Sequence, residues 1–298
     1  MKKLLIASTA LVATAGVAAA DITLSGYGRF GVIYSEGAAN ETIVDQRLRL
    51  IITGTAESAN GIGFTAQTRI QWDDAGNGVD DAVGSAGGAI RDAAFHAKAG
   101  GLTLSIGNVS AAEATPGFYA GGLGYTGFMF VDPWTIGYFD HDIGLTSDAG
   151  DSTNGVVMVT YTMGAFTVRA SHSDSGVNER THFGVVYADN GYVVSLSHQD
   201  ATGSVNDVTK LYVQGTIGGA TVGLFVDDSD AGNAVGLTGT MAVGAATKVT
   251  LTAVDLAAGG SNVGIGVNHD LGGGVSFGAG IADMDGSTYA EAGVQFNF

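Results

Sequence analysis

The sequence predicts an all-β chain: a transmembrane, antiparallel, up-and-down β-barrel of about sixteen strands with one long loop folded inward. Three observations predict it. Apolar and polar residues alternate along almost the whole chain after residue 20. Glycine is abundant (49) and proline nearly absent (2), as suits a chain whose backbone N–H groups join a ladder rather than a helix. Beyond the N-terminus no apolar stretch approaches the ~18 residues that a spanning helix needs.

The N-terminus sets the compartment. Met1-Lys2-Lys3 is basic, Leu4 to about Val17 is apolar, and Ala18-Ala19-Ala20 precedes Asp21. That is the layout of a secretory signal peptide, so residues 1–20 are expected to be removed and 21–298 to form the barrel. The chain has no cysteine, so no disulfide staples it. A formal net charge of −17 argues against a nucleic-acid partner and predicts a mild preference for cations.

Each strand is read from its alternation. In Ile22–Tyr34, residues Ile22, Leu24, Phe30, Val32 and Tyr34 share one face, and Thr23, Ser25, Tyr27 and Arg29 the other. Leu48, Leu50 and Ile52 oppose Arg47, Arg49 and Thr53, while in Ile62–Trp72 residues Ile62, Phe64, Ala66, Ile70 and Trp72 oppose Thr65, Gln67, Arg69 and Gln71. Later segments begin near Ala93, Leu102, Val156, Phe166, Phe183, Tyr192, Lys210, Thr221, Val235, Lys248, Asn262, Val275 and Tyr289. Short links such as Gly100-Gly101, Asp189-Asn190-Gly191 and Gly218-Gly219 carry turn chemistry. They alternate with longer polar links, among them Asp73 to Gly88 and Gln199 to Asp207. Short turns at one rim and long loops at the other suit a membrane barrel.

The two faces carry opposite chemistry. Tyr34, Phe64, Trp72, Tyr161, Phe166, Tyr187, Tyr192 and Phe298 lie near strand ends on the apolar face, as interfacial girdles require. The other face holds Thr, Ser, Gln, Asn, Arg and Lys, too polar for a protein core. Such a sheet needs lipid outside it.

From Asn108 to Asn154 the alternation fails. This stretch is rich in aromatic residues, holds both prolines, and carries Glu113, Asp132, Asp140, Asp142, Asp148 and Asp151 with no Lys or Arg. A loop folded into the barrel fits it best. Parity aims Arg29, Arg47, Arg49, Arg69, His96 and Lys98 inward, while Arg91 stays ambiguous near a strand end. An acidic loop facing a basic wall would set a transverse field across a water-filled constriction.

Other motifs carry less. The G-x-G-x-x-G match at Gly26, Gly28 and Gly31 lies inside a strand, and a second lies at Gly122, Gly124 and Gly127; a dinucleotide site needs a strand before it and a helix after it. Gly26 and Gly28 more plausibly permit close approach at a subunit contact or ease curvature. Asp73, Asp74, Asp80 and Asp81 could take calcium, without EF-hand spacing. The histidines have no zinc spacing, and Asp140-His141-Asp142 has no nucleophile placed with it, so no enzyme is expected.

With these residues in view, the chain resembles the general-diffusion porins of the Gram-negative outer membrane, especially those of alphaproteobacteria. The likeness rests on Leu24-Ser-Gly-Tyr-Gly-Arg-Phe-Gly-Val-Ile-Tyr34, Gly164-Ala-Phe-Thr-Val168, Asp270-Leu-Gly-Gly-Gly274, Gly280-Ile-Ala282 and the terminal Phe298. The segment Thr115 to Gly122 resembles the Pro-Glu-Phe-Gly-Gly run of enterobacterial porins but lacks its glutamate. The resemblance implies both termini in the periplasm, a homotrimer among outer-membrane lipid and lipopolysaccharide, and a third external loop forming an eyelet. It implies that Glu113 is a loop carboxylate, that Arg29, Arg47, Arg49 and Arg69 face it, and that Phe298 is the membrane-insertion signal. It also lends calcium some support, on the outer loops or between eyelet carboxylates. The expected function is passive diffusion of small hydrophilic solutes; the alternative is an adhesin or structural anchor with an occluded lumen.

Overall fold

The computed structural model describes residues 20–75, 89–90, 93–109, 155–174, 179–203, 207–230, 232–256 and 259–298. The expected signal peptide, the second glycine motif, most of the long loop and Arg91 lie outside these residues. Every regular element described is a strand. Three long ones come first: β1 (Asp21–Ser35), β2 (Thr42–Glu57) and β3 (Gly63–Ala75). Short β4 (Ala89–Ile90), β5 (Ala94–Ala99) and β6 (Leu102–Gly107) follow. Then come β7 (Val156–Met163), β8 (Phe166–Asp174), β9 (Glu179–Asp189), β10 (Tyr192–Ala201) and β11 (Val208–Ile217). The last six are β12 (Ala220–Ser229), β13 (Gly232–Ala242), β14 (Thr247–Asp255), β15 (Ser261–Gly272), β16 (Val275–Met284) and β17 (Ser287–Asn297).

β4 and β5 occupy one place beside β3. Ile90 opposes Ile70 and Ala94 opposes Gln67, so the partner gains one residue on β3, the signature of a β-bulge. Counting them as one gives sixteen antiparallel barrel strands, and β17 pairs back onto β1, with Phe30 opposite Val294. Closure leaves no edge to aggregate.

The faces are inverted relative to a soluble protein. Leu24, Phe30, Val159, Leu196, Leu237 and Leu251 are exposed on the outside, while Gln71, Ser171, Gln199, Thr238 and Thr252 are buried inside. Outer aromatics gather near the rim that holds the termini: Phe64, Tyr161, Phe166, Tyr187, Tyr192, Phe296 and Phe298. Phe166 and Tyr187 pack with ring centroids 5.1 Å apart. This is the interfacial girdle expected of a lipid-embedded barrel.

Aromatic rings lie over glycines on neighbouring strands. A Cβ on Gly28 would meet the Phe296 ring at 2.4 Å, and one on Gly26 would approach the Phe298 ring at 3.0 Å. Gly26 and Phe298 also exchange backbone hydrogen bonds, N–H to O, of 2.9 and 3.0 Å. The glycines of the strand motif thus seat rings from this chain's own last strand, rather than a nucleotide. The same pairing recurs at Gly215 with Tyr192 and, on the inner face, at Gly236 with Phe225.

Several expected boundaries move. β3 runs through Ala75, pairing Asp73 with Arg47 and Asp74 with Gln46, so both aspartates belong to a strand and not to the polar loop. β10 likewise continues to Ala201, past the expected loop start at Gln199. β9 starts at Glu179 rather than near Phe183, and β13 at Gly232 rather than near Val235. In each case the strand rises past the apolar band, where alternation between apolar and polar residues ends. Loop length does not alternate strictly either: β16 and β17 meet at Asp285-Gly286, a two-residue turn at the long-loop rim, with φ of 51° and 85°, as in type I′ hairpins.

Candidate functional site: the inner wall

The arginines expected to face inward do so together. Arg29 stands opposite Arg47, Arg49 opposite Gln71, and Arg69 opposite Ile51. Like charges in adjacent positions repel unless something holds them apart or compensates them. Part of the answer is local: Arg49 Nε donates to Gln71 Oε1 at 2.5 Å, and its guanidinium lies 5.2 Å from the Tyr27 ring centroid, within cation–π range.

The same wall also carries two carboxylates that alternation along the chain did not single out. Asp45 shares the inward face of β2 with Arg47, two positions along, and pairs with Gly31. Glu291 pairs with Ile33 from the other side of β1. Asp45, Glu291 and Arg29 are all buried. Their signal was present in the parity of β2 and β17, but only register brings β17 beside β1.

His96 and Lys98 also face inward, opposite Ser105 and Thr103. They lie nearer the rim that holds the termini, Lys98 being next to the last residue of β5. They therefore extend the basic wall downward rather than joining the arginine cluster. His96 Nδ1 and Ser105 Oγ are 2.8 Å apart.

The far wall was largely missed. On β8 to β12 the inward face carries Arg169, Arg180, His182, Lys210 and Asp227, with Lys210 directly opposite Asp227. His182 is buried between Ser171 Oγ (3.1 Å) and Gln199 Oε1 (2.5 Å). Further round, Thr240 and Thr250 hydroxyls are 2.8 Å apart, and Lys248 faces inward near the turn. All five described histidines sit across from a Ser or Thr hydroxyl. Among the described residues no group of three or more His, Asp or Glu could hold a metal; Asp80 and Asp81 lie outside them.

An apolar island interrupts this polar wall. Tyr212, Phe225, Val254 and Ala282 are buried together on the inner face of β11 to β16, with Met284 and Tyr289 beside them. A second small cluster forms where the long connection begins. Gly107 has φ of +99°, and a Cβ there would meet the Ala93 carbonyl oxygen at 2.4 Å, so only glycine fits. The turn carries Val109 onto Ala94 and onto Val156 and Met158, both inward residues of β7. The chain therefore leaves β6 heading into the barrel. Glu113, Asp132, Asp140 and Asp142 lie outside the described residues.

A closed barrel with this inside-out chemistry has known counterparts. Residues 7–289 match the family model of Gram-negative porins. The chain belongs to the Gram-negative porins. A porin of Fuscovulum blasticum is 35% identical over 158 residues, a match covering 52% of this chain and 52% of that protein; the alignment thus spans about half the length of that relative. Solved structures extend the likeness to the whole barrel. A triple mutant of the Rhodopseudomonas blastica porin superposes with a TM-score of 0.77 at 28% identity, covering 93% of this chain and 100% of that one. Another mutant of the same porin gives 0.76 at 29% identity with the same coverage. Family membership places this porin in the outer membrane and makes it a channel protein, not an enzyme.

Proposed function

We propose that this porin forms a water-filled channel for passive diffusion of small hydrophilic solutes and ions, narrowed by the 108–154 connection folded into the lumen. The observation that carries the narrowing is the inward departure at Gly107 and Val109. A buried apolar island on a polar lumen wall supports it as well, because the connection is rich in aromatic residues that suit such a surface. In this reading Glu113, Asp132, Asp140 and Asp142 lie across from Arg29, Arg47, Arg49 and Arg69. Solutes then cross between opposed charges in a low-dielectric frame, where the field is strong.

A homotrimer belongs to the same reading. The outer face of β2 and β3 carries small or polar residues where lipid would favour bulky apolar ones: Gly54, Gln46 and Thr68. Subunit contact there would remove Gln46 and Thr68 from hydrocarbon. The remaining outer face meets outer-membrane lipid and lipopolysaccharide, and cleavage after Ala20 would free Asp21, the first residue of β1. No cofactor enters the reading.

Planar-bilayer recording of the purified protein tests it. Ohmic conductance appearing in steps that group in threes supports the trimeric pore. Silent incorporation of folded protein supports an occluded anchor instead.

A further inference from the structure

Toward the long-loop rim, the outer face of β8 to β12 departs from the apolar character of the rest. His172 on β8 stands opposite Thr181 on β9, which stands opposite Asp200 on β10. One level lower, His198 stands between Phe183 and Thr209, and Thr209 stands opposite Asp228. All of these point away from the lumen. Each imidazole is oriented through Nδ1, His172 at 3.1 Å from Thr181 Oγ1 and His198 at 2.9 Å from Thr209 Oγ1. Both rings are exposed, so Nε2 of each is open to a ligand. Phe183 lies on the strand between them, 57% exposed, with only the methyl of Ala170 opposite it on the β8 side. Cations are missing from this belt. Every Lys and Arg among the described residues occupies an inward strand position, and the connections after β8, β10 and β12 contain neither residue. An anionic headgroup here would meet Asp174, Glu179, Asp200 and Asp228 and be repelled.

We propose that this belt binds the sugar portion of an outer-leaflet glycolipid, with Phe183 as the platform and His172, Thr181, His198 and Asp200 as its hydrogen-bonding groups. The proposal rests on the lipid contact proposed above, and on termini in the periplasm, which put this rim in the outer leaflet. A sugar ring presents C–H groups on a face and hydroxyls around its edge. The face of an aromatic ring is negative and attracts such C–H groups. Hydroxyls both donate and accept, and the belt answers in kind: the carboxylate accepts, while imidazole and threonine can do either. Phosphate, by contrast, is held by Arg or Lys, which the belt does not supply. The depth also fits. Leu196 and Leu211 lie one step lower on the same face, exposed to acyl chains, and histidine suits the boundary because an apolar body carries a polar tip.

Native mass spectrometry of the purified porin tests this by the lipid it retains. The probe is an equimolar mixture of a galactosyl diacylglycerol and a phosphatidylglycerol with the same acyl chains. The galactolipid is expected to be retained about threefold or more over phosphatidylglycerol, as one net hydrogen bond allows. Phe183→Leu, and separately His172→Leu with His198→Leu, should bring the two lipids level. Single-channel conductance of both variants should be unchanged, since these side chains face away from the lumen, and it reports that they fold. Equal retention by the unmodified porin, or retention of neither lipid, overturns the proposal. So does a galactolipid preference that survives both variants. A phosphatidylglycerol preference that appears only with magnesium would assign the belt to bridging cations and overturn it too. Failure of the lipid contact itself would show separately, as folded porin that does not enter bilayers.

Discussion

Arg49 shows how a basic wall is kept in order. Its Nε is held by Gln71 and its plane by Tyr27, so the fork is positioned before a solute arrives, as effective recognition requires. Gly107 acts at the same scale by direction rather than charge. Gly107→Ala would combine a left-handed backbone with an atom pressed on the Ala93 carbonyl, and is expected to cost about 1–3 kcal/mol. Denaturant unfolding in detergent checks this, and an unchanged midpoint would contradict the turn. Glu36 supplies a pH prediction outside the membrane. Thr288 holds its carboxyl below the usual glutamate range, through its hydroxyl first and its backbone N–H (2.7 Å) second. A depressed value means that this tie stabilises the loop above the ordinary glutamate pKa and is lost as pH falls through the lowered one. NMR titration should find Glu36 ionised at lower pH than other exposed glutamates, and Thr288→Ala should raise its midpoint. Identical midpoints in both proteins would refute the tie.

At the scale of elements, the recurring device is a ring seated over a glycine one strand away. It closes the β1–β17 seam outside and joins β12 to β13 inside. Gly236→Ala would place a Cβ 1.8 Å from the Phe225 ring and is expected to destabilise by about 1–3 kcal/mol through overpacking. Adding Phe225→Leu should restore much of the loss, and thermal unfolding of the single and double variants measures the coupling. Additive effects would deny the contact. Much of the strand plan was legible because parity is local: Leu24 outside and Arg29 inside need only the pleat. What parity cannot carry is register. The pairing of Glu291 with Ile33, on the strand of Arg29, and of Asp227 with Lys210 depends on register between strands. Strand ends were blurred for a solvent reason, since residues such as Thr181 and His182 continue a strand where alternation with apolar residues has stopped. The turn at Gly107 looked like the end of a pattern rather than an inward bend.

For the whole molecule, the decisive property is that the inside is wetter in character than the outside. That inversion needs lipid around the barrel and water within it. The chain has no cysteine, so single cysteines can report each face without interference. Gln67 is exposed on the inner wall, where its Nε2 donates to Thr53 Oγ1 at 3.1 Å, and Ala66 beside it faces outward. The most direct measurement is single-channel current during treatment with a charged, membrane-impermeant thiol reagent. Current through Gln67→Cys channels should change in discrete steps, and current through Ala66→Cys channels should not. Modification of the Ala66→Cys channel, or an unresponsive Gln67→Cys channel, would contradict a water-filled lumen lined by this face.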